Sequence, residues 1–122
     1  MSNGKRYPRF PMSALVIGKV LERNLEFSGT IETISLSGIG IFTKEKLEKG
    51  MYVSLNILGF DGSNSIDDKI AGVVMNTDRQ KEFGILGVQF DQVINSANHL
   101  LLYNYLVNEE KKVIAGLKSL PN

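Results

Sequence analysis

The chain has 122 residues, 43% hydrophobic and 22% charged, with a formal net charge of +1. That length suits one domain with a single core, and the lack of cysteine excludes disulfides, thiolate metal sites and cysteine nucleophiles. A single histidine, His99, leaves Ser-His and multi-His arrangements without most of their parts, which argues against an enzyme.

No apolar run approaches the ~18 residues that span a membrane, and the polar, basic opening lacks a signal-type segment, so the expected location is cytoplasmic. Charge is distributed unevenly. Lys5, Arg6 and Arg9 lie in the first ten residues with no acid among them, while acids gather at Asp61, Asp67 and Asp68 and at Glu109-Glu110. The partner expected of the N-terminal end is small and anionic, or an acidic protein surface; a duplex would require a longer basic stripe.

Residues 1–12 carry Pro8 and Pro11 and read as a flexible, extended basic arm, because residues before proline avoid the helical region. Residues 14–17 and 20–21 form a first expected strand, with Gly18 at a bulge or close approach. Residues 27–34 alternate with period two, placing Phe27, Gly29, Ile31 and Thr33 on one face and Thr30, Glu32 and Ile34 on the other. The run Thr33-Ile34-Ser35-Leu36-Ser37-Gly38 ends this strand in a tight corner, and residues 39–43 resume as a third strand. A charged connector, residues 44–50, leads to a fourth strand at 52–58.

Residues 59–68 read as a polar hairpin loop. Its spaced oxygen ligands invite a calcium reading, but the terminal Glu and flanking helices of an EF-hand are missing. Strands at 69–76 and 83–90, joined by residues 77–82, complete six. With no βαβ spacing, the expected fold is mainly β: a six-stranded antiparallel barrel over residues 13–94. A helix over residues 95–120 follows, capped by Asn95 or Ser96, with Leu102, Leu106, Val113 and Leu117 near one face. Leu100, Leu101, Tyr103 and Tyr105 widen its apolar surface, and a helix this long is expected to overhang so small a barrel. His99 reads as a helix-surface residue.

The candidate chemistry lies in the arm and the corner. Arginine offers a planar fork that pairs with phosphate and stacks on flat rings, while Ser35 and Ser37 supply hydroxyls and Gly38 permits close approach of a ligand to the backbone. From the residues alone, a solvated basic tail beside a structural turn is the favoured reading, since basic N-termini and SxSG turns are common.

From Lys5 to about Leu106 the chain resembles a PilZ domain, the bacterial receptor module for cyclic di-GMP. Lys5-Arg6-Tyr7-Pro8-Arg9 lies where that family has RxxxR, residues 33–38 occupy its [DN]xSxxG motif, and Gly87-Val88-Gln89-Phe90 resembles the end of its last strand. The resemblance implies a six-stranded barrel and helix without catalysis, binding no metal and needing no cofactor beyond its ligand, cyclic di-GMP. It implies that Arg9, with Lys5 and Arg6, grips phosphates and stacks on guanine, and that Ser35 and Gly38 meet a guanine edge. Two residues depart from the family pattern: Lys5 stands at the first arginine position and Thr33 replaces the acid or amide. A charge-assisted hydrogen bond is worth roughly 1.5–3 kcal/mol against about 1 for a neutral one, so these departures together weaken binding by an expected ~10–1,000-fold.

The leading expectation is a cyclic di-GMP receptor or adaptor whose arm orders on ligand binding and signals to a partner protein. Neither a nucleic acid polymer nor membrane insertion is expected, and the C-terminal helix is a candidate homodimer surface. The alternative is a degenerate domain that binds no cyclic di-GMP and serves as a protein–protein interaction module.

Overall fold

Burial alternates strictly along residues Ala14–Val20 (β1), with Val16 and Val20 inside and Leu15, Ile17 and Lys19 outside. The same inside–outside logic builds Leu25–Ile34 (β2), Gly38–Thr43 (β3), Tyr52–Asp61 (β4), Asn64–Gln80 (β5) and Phe83–Phe90 (β6). The computed structural model describes residues 7–80 and 83–118. All strand pairs are antiparallel, and they close in the order β1-β2-β3-β6-β5-β4. Closure removes the unpaired edges that invite aggregation. Ile39, Ile41, Leu55, Ile57, Ile66 and Leu86 fill the interior, mostly β-branched side chains suited to a pleated surface. The expected mainly-β, six-stranded antiparallel barrel with a C-terminal helix is the observed architecture.

Two strands are longer than the sequence pattern indicates. Residues 59–68 form no extended loop: Asp61 pairs with Asn64, leaving a two-residue turn at Gly62-Ser63. Gly62 has φ of 62° at the first central position, the glycine-dependent geometry that matches the twist of a tight hairpin. The polar residues expected in a loop are instead the outward half of two strands. Residues 77–80 are likewise strand, with Thr77 to Gln80 paired to Leu86 to Phe83. Gly18 marks a close approach rather than a bulge, because a Cβ there would strike the ring of its cross-strand partner Phe27.

A β-bulge corrects the expected faces of β2. Ile31 pairs with Ile41 but Thr33 pairs with Gly40, so one extra residue is accommodated at Glu32. The physical cause is the spacing of Ile31 and Ile34. Both are buried, yet three positions apart they cannot share one face of a regular strand. The bulge turns Ile34 inward, and Thr33, expected beside Ile31, faces outward with Glu32.

Residues Leu100–Lys118 form the helix α1. Asn95 Oδ1 accepts the backbone N–H groups of Ala97 (2.8 Å) and Asn98 (3.0 Å), and Asn98 Oδ1 accepts the Asn95 N–H (2.8 Å), a reciprocal cap just before the helix. Leu102 and Leu106 join the barrel core, whereas Val113, Ile114 and Leu117 are 46–64% exposed. The expected apolar stripe is therefore buried only in its first half. His99 is not a free surface residue: its Nδ1 lies 3.0 Å from Asp68 Oδ1, tying the helix start to β5.

The prolines predict an extended arm over residues 1–12, and the structure pins its last three residues. Phe10 and Ile34 exchange two backbone hydrogen bonds of 2.9 Å, Met12 is buried, and the Tyr105 hydroxyl donates to the Pro11 carbonyl at 2.8 Å. Lys5 and Arg6 lie outside the described residues.

Candidate functional site

The residue that organises the corner is Ser35. Only 1% exposed, its Oγ accepts the backbone N–H groups of Ser37 and Gly38, both at 3.2 Å. The Ser35 N–H donates to the Gly38 carbonyl at 2.9 Å, closing the β2–β3 turn. Main-chain bonds from Phe90 to Ser37 (2.9 Å) and from Ile94 to Leu36 (2.8 Å) lock this turn to the exit of β6. Ser35 is thus placed as the turn's internal strut, away from the surface where a guanine edge was expected to meet it. Ser37 reaches that surface in its stead.

Gly38 is required for a different reason than the sequence implies. Its φ is not in the left-handed region, but a Cβ there would sit 2.7 Å from the Val88 carbonyl oxygen. The missing side chain allows β3 to lie against β6, so the position answers to strand packing rather than to an unusual turn conformation.

Outside the barrel, Arg9, Glu32, Thr33, Ser37, Gly38 and Gly40 line one half of a cleft of about 550 Å³. Met75, Asn76, Gly87 and Gln89 contribute to the other half. Its floor is one rung of the sheet crossing four strands: Thr33 pairs with Gly40, Gly40 with Gly87, and Gly87 with Asn76. At roughly 4.8 Å per strand step this rung spans ~14 Å. The two central glycines lower the floor. A Cβ on Gly40 would collide with Glu32 Oε1, and one on Gly87 would collide with Asn76 Oδ1, so both polar side chains fold inward across bare backbone. A second bulge, between Val74 and Asn76, borders the far end. Bulges on both sides therefore aim side chains at the same trough.

Arg9 stands at the rim, its Nη1 donating to Thr33 Oγ1 at 3.2 Å. The Thr33 hydroxyl in turn donates to Glu32 Oε1 at 3.3 Å. Of the residues singled out in the sequence, Arg9, Thr33 and Gly38 converge on the cleft, and Ser35 supports it from beneath. Glu32, Gly40, Asn76 and Gly87 escaped the sequence reading as site residues. The odd spacing of Ile31 and Ile34 was the available signal for Glu32. Nothing local in β5 announces Asn76, which joins the site only through its pairing with Gly87. Among the described residues no group of three or more His, Cys, Asp or Glu side chains could hold a metal, and no helix is long and apolar enough to cross a membrane.

A closed six-stranded barrel carries a cleft on its outer wall, with an arginine at the rim and a helix bonded to the strap of residues 10–12, and so belongs to the class of small β-barrel domains with an external groove. The family model for the PilZ domain matches residues 4–108, and the chain belongs to the PilZ domain family. The fold is similar to the Bacillus subtilis inhibitor of motility (MotI/DgrA), with TM-score 0.69 and 14% identity, over 91% of this chain and 53% of that one. This chain therefore spans about half the length of the Bacillus protein. It is also similar to the PilZ domain of Escherichia coli YcgR, a structure with c-di-GMP, at TM-score 0.63 and 12% identity, covering 97% of this chain and 100% of that one. At these identities the likeness is one of fold. No curated protein sequence matches the chain.

Proposed function

We propose that the protein binds cyclic di-GMP in the cleft above the Gly40–Gly87 rung and relays occupancy to a partner protein through the arm and helix, from the cytoplasm. The observation that carries this reading is the position of Arg9. Its guanidinium is held at the cleft rim by Thr33, one residue before the Phe10–Ile34 bridge that fastens the arm to β2. A phosphate paired with that fork would draw in the preceding residues, with Lys5 and Arg6 adding positive charge, while Thr33, Ser37 and Gly38 border the base. Ser35 serves this site by holding the turn rather than by touching ligand. Ordering the arm costs conformational entropy, which subtracts from affinity.

The relay follows from short covalent distances. Two residues after Arg9, the Pro11 carbonyl accepts the Tyr105 hydroxyl, so movement of the strap reaches α1 directly. The exposed Val113, Ile114 and Leu117 give the helix an apolar end for a partner protein or a second copy of the chain. Calorimetric titration with cyclic di-GMP tests the binding step. Arg9→Ala is expected to weaken binding at least ~10-fold through loss of a charge-assisted contact. Absence of heat up to near-millimolar ligand, or an unchanged affinity for Arg9→Ala, overturns it.

The uncharged Thr33 and the Lys5 departure favour a second reading, a domain that keeps the barrel and docks a partner without ligand. Lys5→Arg combined with Thr33→Asp separates the two. A large affinity gain from almost nothing marks a lapsed site, and little change marks a working variant.

A further inference from the structure

Within the proposed cyclic di-GMP site, on which this inference rests, we infer that Glu32 supplies the carboxylate that reads the guanine edge, with Thr33 acting as a positioning residue. The β2 bulge places both side chains outside the barrel, where a regular strand would have put them on opposite faces. Glu32 does not extend into solvent; its Oε1 lies over the bare backbone of Gly40, on the cleft floor. Thr33 is already engaged at both ends of its hydroxyl, accepting from Arg9 at 3.2 Å and donating to Glu32 at 3.3 Å. Its single proton points at the carboxylate, so it links the arginine at the cleft rim to the acid.

Glu32 has the capacity that Thr33 lacks. A guanine edge needs acceptors: the Thr33 hydroxyl, with one of its two lone pairs taken by Arg9, keeps one uncharged acceptor site, whereas a carboxylate offers about four lone-pair sites, and only one contact, from Thr33, is made among the described residues. The Watson–Crick edge of guanine presents two adjacent donors, N1–H and the N2 amino group, which a carboxylate accepts side by side. Adenine places an unprotonated N1 there, an acceptor that a carboxylate repels. The acid would thus confer both affinity and selectivity for guanine over adenine.

The test is calorimetric titration of the full chain and its variants with cyclic di-GMP and, as the comparison ligand, cyclic di-AMP. Thermal melts confirm that each variant folds, which the outward position of Glu32 favours. Glu32→Gln is expected to weaken cyclic di-GMP binding by ~10–100-fold and to narrow its margin over cyclic di-AMP, because one charge-assisted acceptor becomes neutral. Glu32→Ala is expected to lose at least as much, and adding Thr33→Asp to Glu32→Ala is expected to recover ~10-fold or more by returning a carboxylate one position along the strand. A wild-type protein that binds cyclic di-GMP while Glu32→Gln and Glu32→Ala bind equally well refutes the role of Glu32 alone. A wild-type protein that binds neither dinucleotide refutes the receptor reading itself.

Discussion

Replacing Ser35 with alanine tests whether its hydroxyl is the strut of the β2–β3 turn. The hydroxyl accepts two backbone N–H groups at 3.2 Å, and the Gly38 contact is buried. Alanine leaves the Gly38 N–H without this acceptor inside the buried β2–β3 turn, which is locked against the end of β6, where water cannot readily replace it. An orphaned buried donor costs ~1–3 kcal/mol, and the half-buried Ser37 N–H adds a fraction of that. A total of about 2 kcal/mol corresponds to a fall in melting temperature of roughly 6–10 °C for a domain of this size. Circular dichroism melts of ligand-free Ser35→Ala and Ser37→Ala provide the comparison. Among the described residues the Ser37 hydroxyl has one side-chain contact, to Ser35 Oγ at 3.4 Å, so its removal is expected to shift stability by no more than ~0.5 kcal/mol. A Ser35→Ala protein that melts within about 1 °C of wild type refutes the strut argument.

Two further outcomes follow from the same geometry. Gly40→Ala is expected to fold nearly normally, because the added methyl meets only the flexible tip of Glu32, yet to weaken cyclic di-GMP binding ~10-fold by lifting the carboxylate off the floor; paired melts and calorimetry read both effects, and unchanged binding contradicts the floor geometry. At the strap, burial first and the Glu109 carboxylate second push the Tyr105 phenol above its ordinary 10.0. A raised folded-state value means the contribution is fully present below pH 10 and is lost as the pH rises through the folded-state value. Wild type is therefore expected to lose more stability than Tyr105→Phe on alkaline titration in urea, and equal losses would contradict a partly buried phenol bonded to Pro11.

The sequence displays the barrel through its strands because alternation is a local property: Val16 to Val20 and Phe27 to Ile31 declare their inner faces without knowledge of their neighbours. Asn95 likewise carries its cap in its own short side chain. Hairpin lengths were less legible. Asp61, Asp67 and Asp68 look like loop residues, but polarity is also what the outer half of a barrel strand requires, and only pairing distinguishes the two. The overhang of α1 was legible from its length against so small a barrel, whereas its apolar stripe shows what can be buried and not how far the barrel extends beneath it.

The corner and the arm follow the same division. Their order and spacing along the chain identify the family and mark Arg9, Thr33 and Gly38, because a chemical motif is written in residue types. The extra residue at Glu32, the Gly40–Gly87 floor and the arrival of Asn76 are consequences of register, which is settled between strands rather than within them. A one-residue slip exchanges the faces of a strand, so whether a carboxylate faces the outer cleft or the core depends on where the two flanking isoleucines must be buried. The sequence by itself determined the type of domain and marked Arg9; the closed sheet decided that Glu32 joins Thr33 and that arginine at the cleft, because register is settled between strands.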